Sequence, residues 1–244
     1  MSRSALYSPR KQTGVGLLGA VVLSAGVVVA GFLLATAVKD FRKYDQFIEV
    51  RGLAEEVVKS DKASWNMAVS AFGETPQAAS QAGLKQQEKL ESLVLGMGFE
   101  ATDIRRQPMN IFENINPNGG QVEPGKRWRA TSGIVLETGK VDAVEQAMLK
   151  TDVFLNENIV VESNFVQFYF TDLNSIKPRM LKAATDNAKE AAQTFANDSG
   201  VTVGALKTAT QGLFSISAPL GEYGGENTVM KKIRVVTKVQ YLVE

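Results

Sequence analysis

An α+β domain of mostly antiparallel strands, joined by hairpins and covered by three main helices, with one N-terminal transmembrane helix, is the fold class this sequence predicts. Three observations predict it. Gly14 to Val38 run 25 residues without a charge. Later stretches carry an apolar residue at every second position, the period of half-buried strands. Between them lie segments with apolar residues at helical spacing. The order read from these patterns is ββαββα followed by βαββ, an α+β arrangement of mostly antiparallel strands joined by hairpins.

The apolar run GVGLLGAVVLSAGVVVAGFLLATAV is long enough, at 1.5 Å per residue, to reach about 37 Å as a helix. A bilayer's hydrocarbon core is about 30 Å thick, so residues 14–38 suffice to cross it with some tilt. A cleaved signal peptide is the competing reading, because Arg3, Arg10 and Lys11 precede the run and Ala35-Thr36-Ala37 has a small-x-small form. The apolar core exceeds the usual 7–15 residues of a signal peptide, which favours a retained anchor. Gly16, Ala20 and Ser24 recur every fourth residue, a spacing that lets membrane helices approach closely. Basic residues nearly balance across the span, with Lys39, Arg42, Lys43 and Arg51 following it, so charge bias leaves orientation open. The commoner arrangement for one N-terminal span puts residues 1–13 in the cytoplasm and the domain in the periplasm or outside, at the inner membrane. Residues 39–47, with FRKYDQF, read as a juxtamembrane connector.

Residues 48–244 form the domain. Ile48 to Val58 and Ala63 to Phe72 flank the polar turn Lys59-Ser60-Asp61-Lys62 and read as a hairpin with one buried face. Thr75-Pro76 opens a helix, Thr as cap and Pro at the first helical position. Leu90, Leu93, Val94 and Met97 form its apolar stripe, and Gly98 ends it. Ile104 to Phe112 and Trp128 to Glu137 read as strands around a turn-rich loop, Asn114 to Lys126. A second helix is expected from about Val141 to Lys150. Ile159 to Val161 and Phe165 to Phe170 are extended, and apolar residues on both faces of the latter suggest a central strand. Asn174-Ser175 is expected to cap a third helix with Pro178 in its first turn, and with Leu181, Ala184, Ala188, Ala191, Ala192 and Phe195 facing inward. Ala205 to Ser217 and Lys231 to Val243 read as strands around the loop Ala218 to Met230.

Composition limits the chemistry. Lys and Arg number 27 against 26 Asp and Glu, and the charges are interspersed, so no net field attracts nucleic acid. Cysteine and histidine are both absent, which removes thiol chemistry, disulfides and the side chain best suited to proton transfer near neutral pH.

Several phrases match a known family. IEVRGLAEEVVKSDKASW, LESLVLGMGF followed by ATDI, RWRATSGIVLET, VDAVEQAM, LKAATDNAKEAAQTFANDSGVTVGAL and KKIRVVTKVQYLV together span nearly all of residues 48–244. The domain resembles the SIMPL family of the periplasmic immunogenic protein type. Here Lys-Ser-Asp, with Asp61, stands where bacterial members usually have Lys-Pro-Asp. Many members carry a signal peptide where this chain has a longer span, so the resemblance implies a permanently anchored member. It also implies an envelope protein that assembles into homo-oligomeric rings or cages, with a link to oxidative stress protection. One mammalian relative binds a signalling kinase. The family has no agreed catalytic activity, so no catalytic or cofactor-binding residue carries over.

The residues themselves agree with a non-enzymatic reading. Glu55 and Glu56 are neighbours on a strand and point to opposite faces; Asp152 and Glu157 read as solvated. Glu222 and Glu226 in GEYGGEN lack the dense acidic spacing of a calcium loop, so no metal or cofactor is expected. Asn197-Asp198-Ser199 reads as a helix end, and Trp65 and Trp128 as core. The two long loops are the candidate subunit or partner contacts, through Asn116, Pro117, Gly119 and Pro124 in one and Pro219, Glu222, Tyr223 and Glu226 in the other. Expected partners are further copies of the chain, membrane lipid, and as the alternative another envelope protein bound by a low-order adaptor.

Overall fold

The computed structural model describes residues 16–44, 46–115, 120–150, 152–221 and 225–243. Five helices and eight strands follow in the order α1 (Leu17–Tyr44), β1 (Phe47–Lys59), β2 (Lys62–Gly73), α2 (Pro76–Gly96), β3 (Ile104–Glu113), β4 (Trp128–Thr138), α3 (Val141–Met148), α4 (Asp152–Asn156), β5 (Val161–Tyr169), α5 (Leu173–Ser199), β6 (Val203–Gln211), β7 (Ser215–Ser217) and β8 (Met230–Val243). One sheet has the order β1-β8-β6, with β7 on β8; the other has the order β3-β4-β2-β5. The pairings of β2 with β4 and β5, of β3 with β4 and of β7 with β8 are antiparallel. The predicted α+β class is the observed one.

The chain divides into two compact units. One comprises Met1–Val50, Lys189–Thr210 and Lys238–Glu244; the other comprises Arg51–Ala188 and Gln211–Thr237. In the first, α1 runs 28 residues, and its window Gly19–Ala37 is long and apolar enough to cross a membrane, with no part of it buried. The helix continues to Tyr44, so residues 39–44 of the expected connector are helical. No Gly or Pro interrupts Phe32 to Arg51, and nothing in the backbone chemistry stops the helix at the end of the uncharged run. Elsewhere in this unit Val50, Ala192, Ala196, Val239 and Tyr241 are buried. Glu49 accepts from Gln240 Nε2 (2.7 Å) and pairs with Lys238 (2.9 Å).

The second unit holds the sheet β3-β4-β2-β5. Thr75 accepts from the Ala78 N–H, Pro76 starts α2, and Gly98, at φ 92°, turns the chain out of it, as the sequence predicts. Trp65, Met67, Leu90, Val94, Ile134, Leu136, Val144 and Phe154 make the core between sheet and helices. The Trp65 ring meets Phe154 edge-on at 6.1 Å, and its Nε1 donates to Asn164 Oδ1 at 2.5 Å. Gln87, buried in α2, donates to the carbonyls of Gln107 (3.0 Å) and Gly133 (2.7 Å), where β3 shifts register against β4. A second cluster brings Ala54 of β1 and Ile233 and Val235 of β8 against Ile176, Met180 and Ala184 of α5.

Five expectations are corrected. β1 and β2 are not a hairpin, because they belong to different sheets. At the corner between them the Ser60 N–H goes to the Val229 carbonyl (2.8 Å) and the Asp61 N–H to that of Tyr169 (2.9 Å), each away from the other strand. β5 is an edge strand rather than a central one: Val166 and Phe168 are buried, while Phe165 and Tyr169 face outward, 44% and 41% exposed. The third helix starts at Leu173, so Asn174 and Ser175 lie inside it and Pro178 falls beyond its first turn. Its buried stripe is Ile176, Met180, Ala184, Ala188, Ala192 and Ala196, and Phe195 is exposed. The strand expected from Ala205 to Ser217 is broken at Gly212, whose N–H donates to Val236 at 2.9 Å and where a Cβ would lie 2.6 Å from the Val236 oxygen. The short helix α4 was not expected; its Phe154 turns inward against Trp65. Trp65 is fully buried and Trp128 half-buried.

Asp61 fastens the two residues that lead into α5. Its carboxylate accepts the Thr171 N–H (2.9 and 3.0 Å), the Thr171 hydroxyl (3.0 Å) and the Asp172 N–H (2.9 Å). The turn thus fastens the β1–β2 corner to the start of a helix 110 residues later. Asp61→Ala is expected to lower stability by about 2 kcal/mol, since these are charge-assisted hydrogen bonds, while Asp61→Asn keeps one acceptor and loses less. A denaturation midpoint that Asp61→Ala leaves in place would show that the corner holds without the carboxylate.

Candidate functional site

Each long loop shapes an open cleft in the second unit. The first cleft, about 490 Å³, is lined by Glu74, Glu113, Ile115, Val122, Pro124 and Arg127 among others. Its loop is held at the base, where the Asn114 N–H donates to the Arg127 carbonyl (2.8 Å) and Asn114 Nδ2 to that of Lys126 (3.0 Å). The Gly125 N–H, at φ 80°, donates to Glu74 Oε2 at 2.9 Å. Lys126 lies 2.5 Å from Glu123 and holds that carboxyl below its ordinary value, mainly through the hydrogen bond. Nearby, the Arg129 guanidinium sits over the rings of Phe72 (5.9 Å) and Phe112 (5.6 Å) and pairs with Glu162. Pro124 therefore lines a cleft, while Asn116, Pro117 and Gly119 lie outside the described residues.

The second cleft, also about 490 Å³, is made by the edge strand β5, by β7 and by the loop before β8. Phe165, Tyr169, Phe170 and Ile216 give it apolar walls. Gln167 links two of its lining residues: its Nε2 donates to Glu226 Oε2 (2.7 Å), and its Oε1 accepts from the Tyr169 hydroxyl (2.7 Å). Lys231 also lines this cleft, although the residue is only 3% exposed. Its Nζ donates to the carbonyls of Gly225 and, at 3.3 Å, of Glu226. Burial pushes the Lys231 ammonium below its ordinary value, and the nearby Glu226 charge partly opposes that shift. Glu226 is therefore a site residue, and Pro219 lies half-buried in the turn after β7. Glu222 and Tyr223 lie outside the described residues.

Lys231 was missed in the sequence, although a signal for it exists. It stands in phase with Ile233 and Val235 on β8, on the face that turns inward. A lysine in step with a buried period-two stripe has to place its charge somewhere, and here two backbone carbonyls receive it. Asp61 reads in the sequence only as a turn residue, since nothing local to it announces a helix so distant along the chain.

The remaining candidates separate. Gly16 precedes α1, and its carbonyl accepts from the Gly19 and Ala20 N–H groups (2.7 and 3.2 Å). Ala20 and Ser24 are exposed on the helix, and the Ser24 hydroxyl donates to the Val21 carbonyl at 2.9 Å. Glu55 and Glu56 reach different partners, Arg234 (3.6 Å) and Arg179, and the hydrogen bond from Arg179 holds the Glu56 carboxyl below its ordinary value. Asn197 and Ser199 lie in the last turn of α5, which Gly200 closes at φ 69°. Among the described residues no three His, Cys, Asp or Glu side chains converge as a metal site.

The model of the SIMPL family, described as protein of unknown function (DUF541), matches residues 48–237, the larger part of the chain. The chain belongs to the SIMPL family. The match begins four residues after the end of α1 and takes in all of the sheet β3-β4-β2-β5 and most of the other, so the family domain starts where the apolar helix ends. Among curated proteins no match is found. A solved structure described as a crystal structure of a hydrolase from Listeria innocua aligns with 78% of this SIMPL chain and 91% of its own, at 14% identity and a TM-score of 0.18. That likeness carries neither fold nor activity to this protein.

Proposed function

We propose that this SIMPL protein is a non-enzymatic, membrane-anchored envelope protein that assembles with copies of itself. The observation that carries the reading is the window Gly19–Ala37, none of which is buried against the rest of the chain. A helix so apolar and so uncovered needs lipid or other helices around it. In this reading residues before it stay in the cytoplasm and the SIMPL domain stands on the periplasmic or outer side of the inner membrane. Self-assembly draws support from uncovered apolar side chains on the domain: in the second unit Leu149, Leu213 and Leu220 are 83%, 94% and 99% exposed. The edge strands β3 and β5 of its sheet add open backbone to these. A link to envelope or oxidative stress protection belongs to the same proposal and rests on the family resemblance alone.

The test is the mass of the full-length protein extracted in mild detergent, by light scattering and particle imaging. A discrete species of many subunits is expected, because several weak contacts acting together hold a closed assembly. A monomer or dimer across the accessible concentration range would overturn self-assembly in favour of a low-order adaptor for another envelope protein.

A further inference from the structure

We propose that the cleft between β5, β7 and the start of β8 binds a small organic anion with an apolar body, of the aromatic carboxylate class. Two features of the cleft, independent of any assembly, converge on that chemistry. The first is the cationic head of Lys231. An ammonium carries three N–H donors, and two of them are taken by the carbonyls of Gly225 and Glu226. Among the described residues no carboxylate forms an ion pair with it; the Glu226 carboxylate accepts from Gln167 instead. One donor is left to be met from the cleft, and the nearby Glu226 charge offsets the ammonium only in part. A buried cation with a donor to spare is held at a cost that an incoming carboxylate relieves.

The second feature is the wall. Phe165, Tyr169 and Ile216 are 44%, 41% and 46% exposed, and all three line the same space. A space of about 490 Å³ falls in the range of small-molecule pockets. Apolar walls with one convergent charge are the usual makeup of such a site. The wall takes an aromatic or aliphatic body, and the ammonium selects for a negative head. A cationic or doubly charged ligand is disfavoured, the first by Lys231 and the second by Glu226 beside it. An anion seated here also draws the Lys231 ammonium back toward its ordinary value, since an opposite charge favours the charged form.

The full-length protein in phosphatidylcholine nanodiscs, titrated with 2-naphthoate and with its neutral isostere 2-naphthamide, tests this by calorimetry against empty discs. Naphthoate is expected to bind at least about tenfold more tightly than the amide, the ratio one charge-assisted hydrogen bond supports. Lys231→Met removes that difference. Because Lys231 also fastens the loop before β8, Glu226→Gln provides a second test that keeps the shape of the Gln167 contact. It is expected to tighten naphthoate several-fold and leave naphthamide unchanged, while Phe165→Ala weakens both ligands. Equal affinity for the two ligands, no saturable naphthoate binding, or an unchanged naphthoate affinity in Glu226→Gln would overturn the proposal.

Discussion

Alanine at position 52 is expected to lower the stability of the domain by about 3 kcal/mol, at the top of the range for overpacked cores. Gly52 lies on the buried face of β1 where α5 crosses it. A Cβ built there would stand 1.8 Å from the Ala184 carbonyl oxygen, 2.6 Å from the Ala188 nitrogen and 2.8 Å from the Ala188 Cβ. Two of those atoms are helix backbone and cannot rotate away, so the helix as a whole must move. It is also tied at this level, because Asn187 Oδ1 accepts the Leu53 N–H at 3.0 Å. Gly96 gives the matched control: it lies in the last turn of α2, and a Cβ there meets nothing within 4 Å. Gly96→Ala should be neutral or stabilising by up to about 1 kcal/mol, the helix-propensity difference. Urea unfolding followed by tryptophan fluorescence reads both, since Trp65 is fully buried. Equal midpoints for the two variants would mean that α5 does not approach β1 this closely.

Two aspartates in the span, Val28→Asp with Phe32→Asp, are expected to release the protein from the membrane fraction. Both positions lie within Gly19–Ala37, and the native side chains are 70% and 68% exposed. Near the centre of a membrane helix each Asp disfavours insertion by roughly 2.5–3.5 kcal/mol, and each lost Val or Phe removes a further few tenths. The pair sums to roughly 6–8 kcal/mol, four or more powers of ten in the partition. Alkaline carbonate extraction of cells expressing the two forms reads the outcome. A double variant that stays with the pellet as the parent does would show that something other than insertion holds the chain there. The same variant separates anchoring from assembly, since a soluble form that still gives the high-order species would place the subunit contacts in the SIMPL domain.

Much of this structure can be read along the chain, because its signals are local. The stripe Leu90, Leu93, Val94 and Met97, the cap at Thr75 and the left-handed Gly98 are consequences of residues a few positions apart. The alternation in β2 names its buried face correctly: Ala63, Trp65, Met67 and Val69 all turn inward. Alternation is silent on which strand lies alongside, since backbone hydrogen bonds do not depend on side-chain identity. That is why β1 and β2 read as a hairpin and yet part into two sheets. It is also why β5, apolar on both faces, read as central: its outer aromatics line a cleft instead of a second layer. The candidate site shows the same division. Loop composition pointed to Pro124 and Glu226, whereas Lys231 came into view only with the strand that buries it and the carbonyls that receive it.

By itself the sequence determined an uncharged N-terminal helix long enough for a bilayer, an α+β body of the SIMPL family and the buried face of most of its elements. The helix and the buried faces follow from the spacing of side chains within one segment, where the period of the backbone converts composition into a face, while the family rests on the phrases that resemble it. Tertiary structure alone decided that Asp61 holds the entry to α5, that Gly52 admits the backbone of that helix and that Lys231 meets an aromatic wall. Those pairings join residues far apart in the chain, and no local period encodes them; they are settled when buried polar groups and close backbones must all be accommodated in one packing.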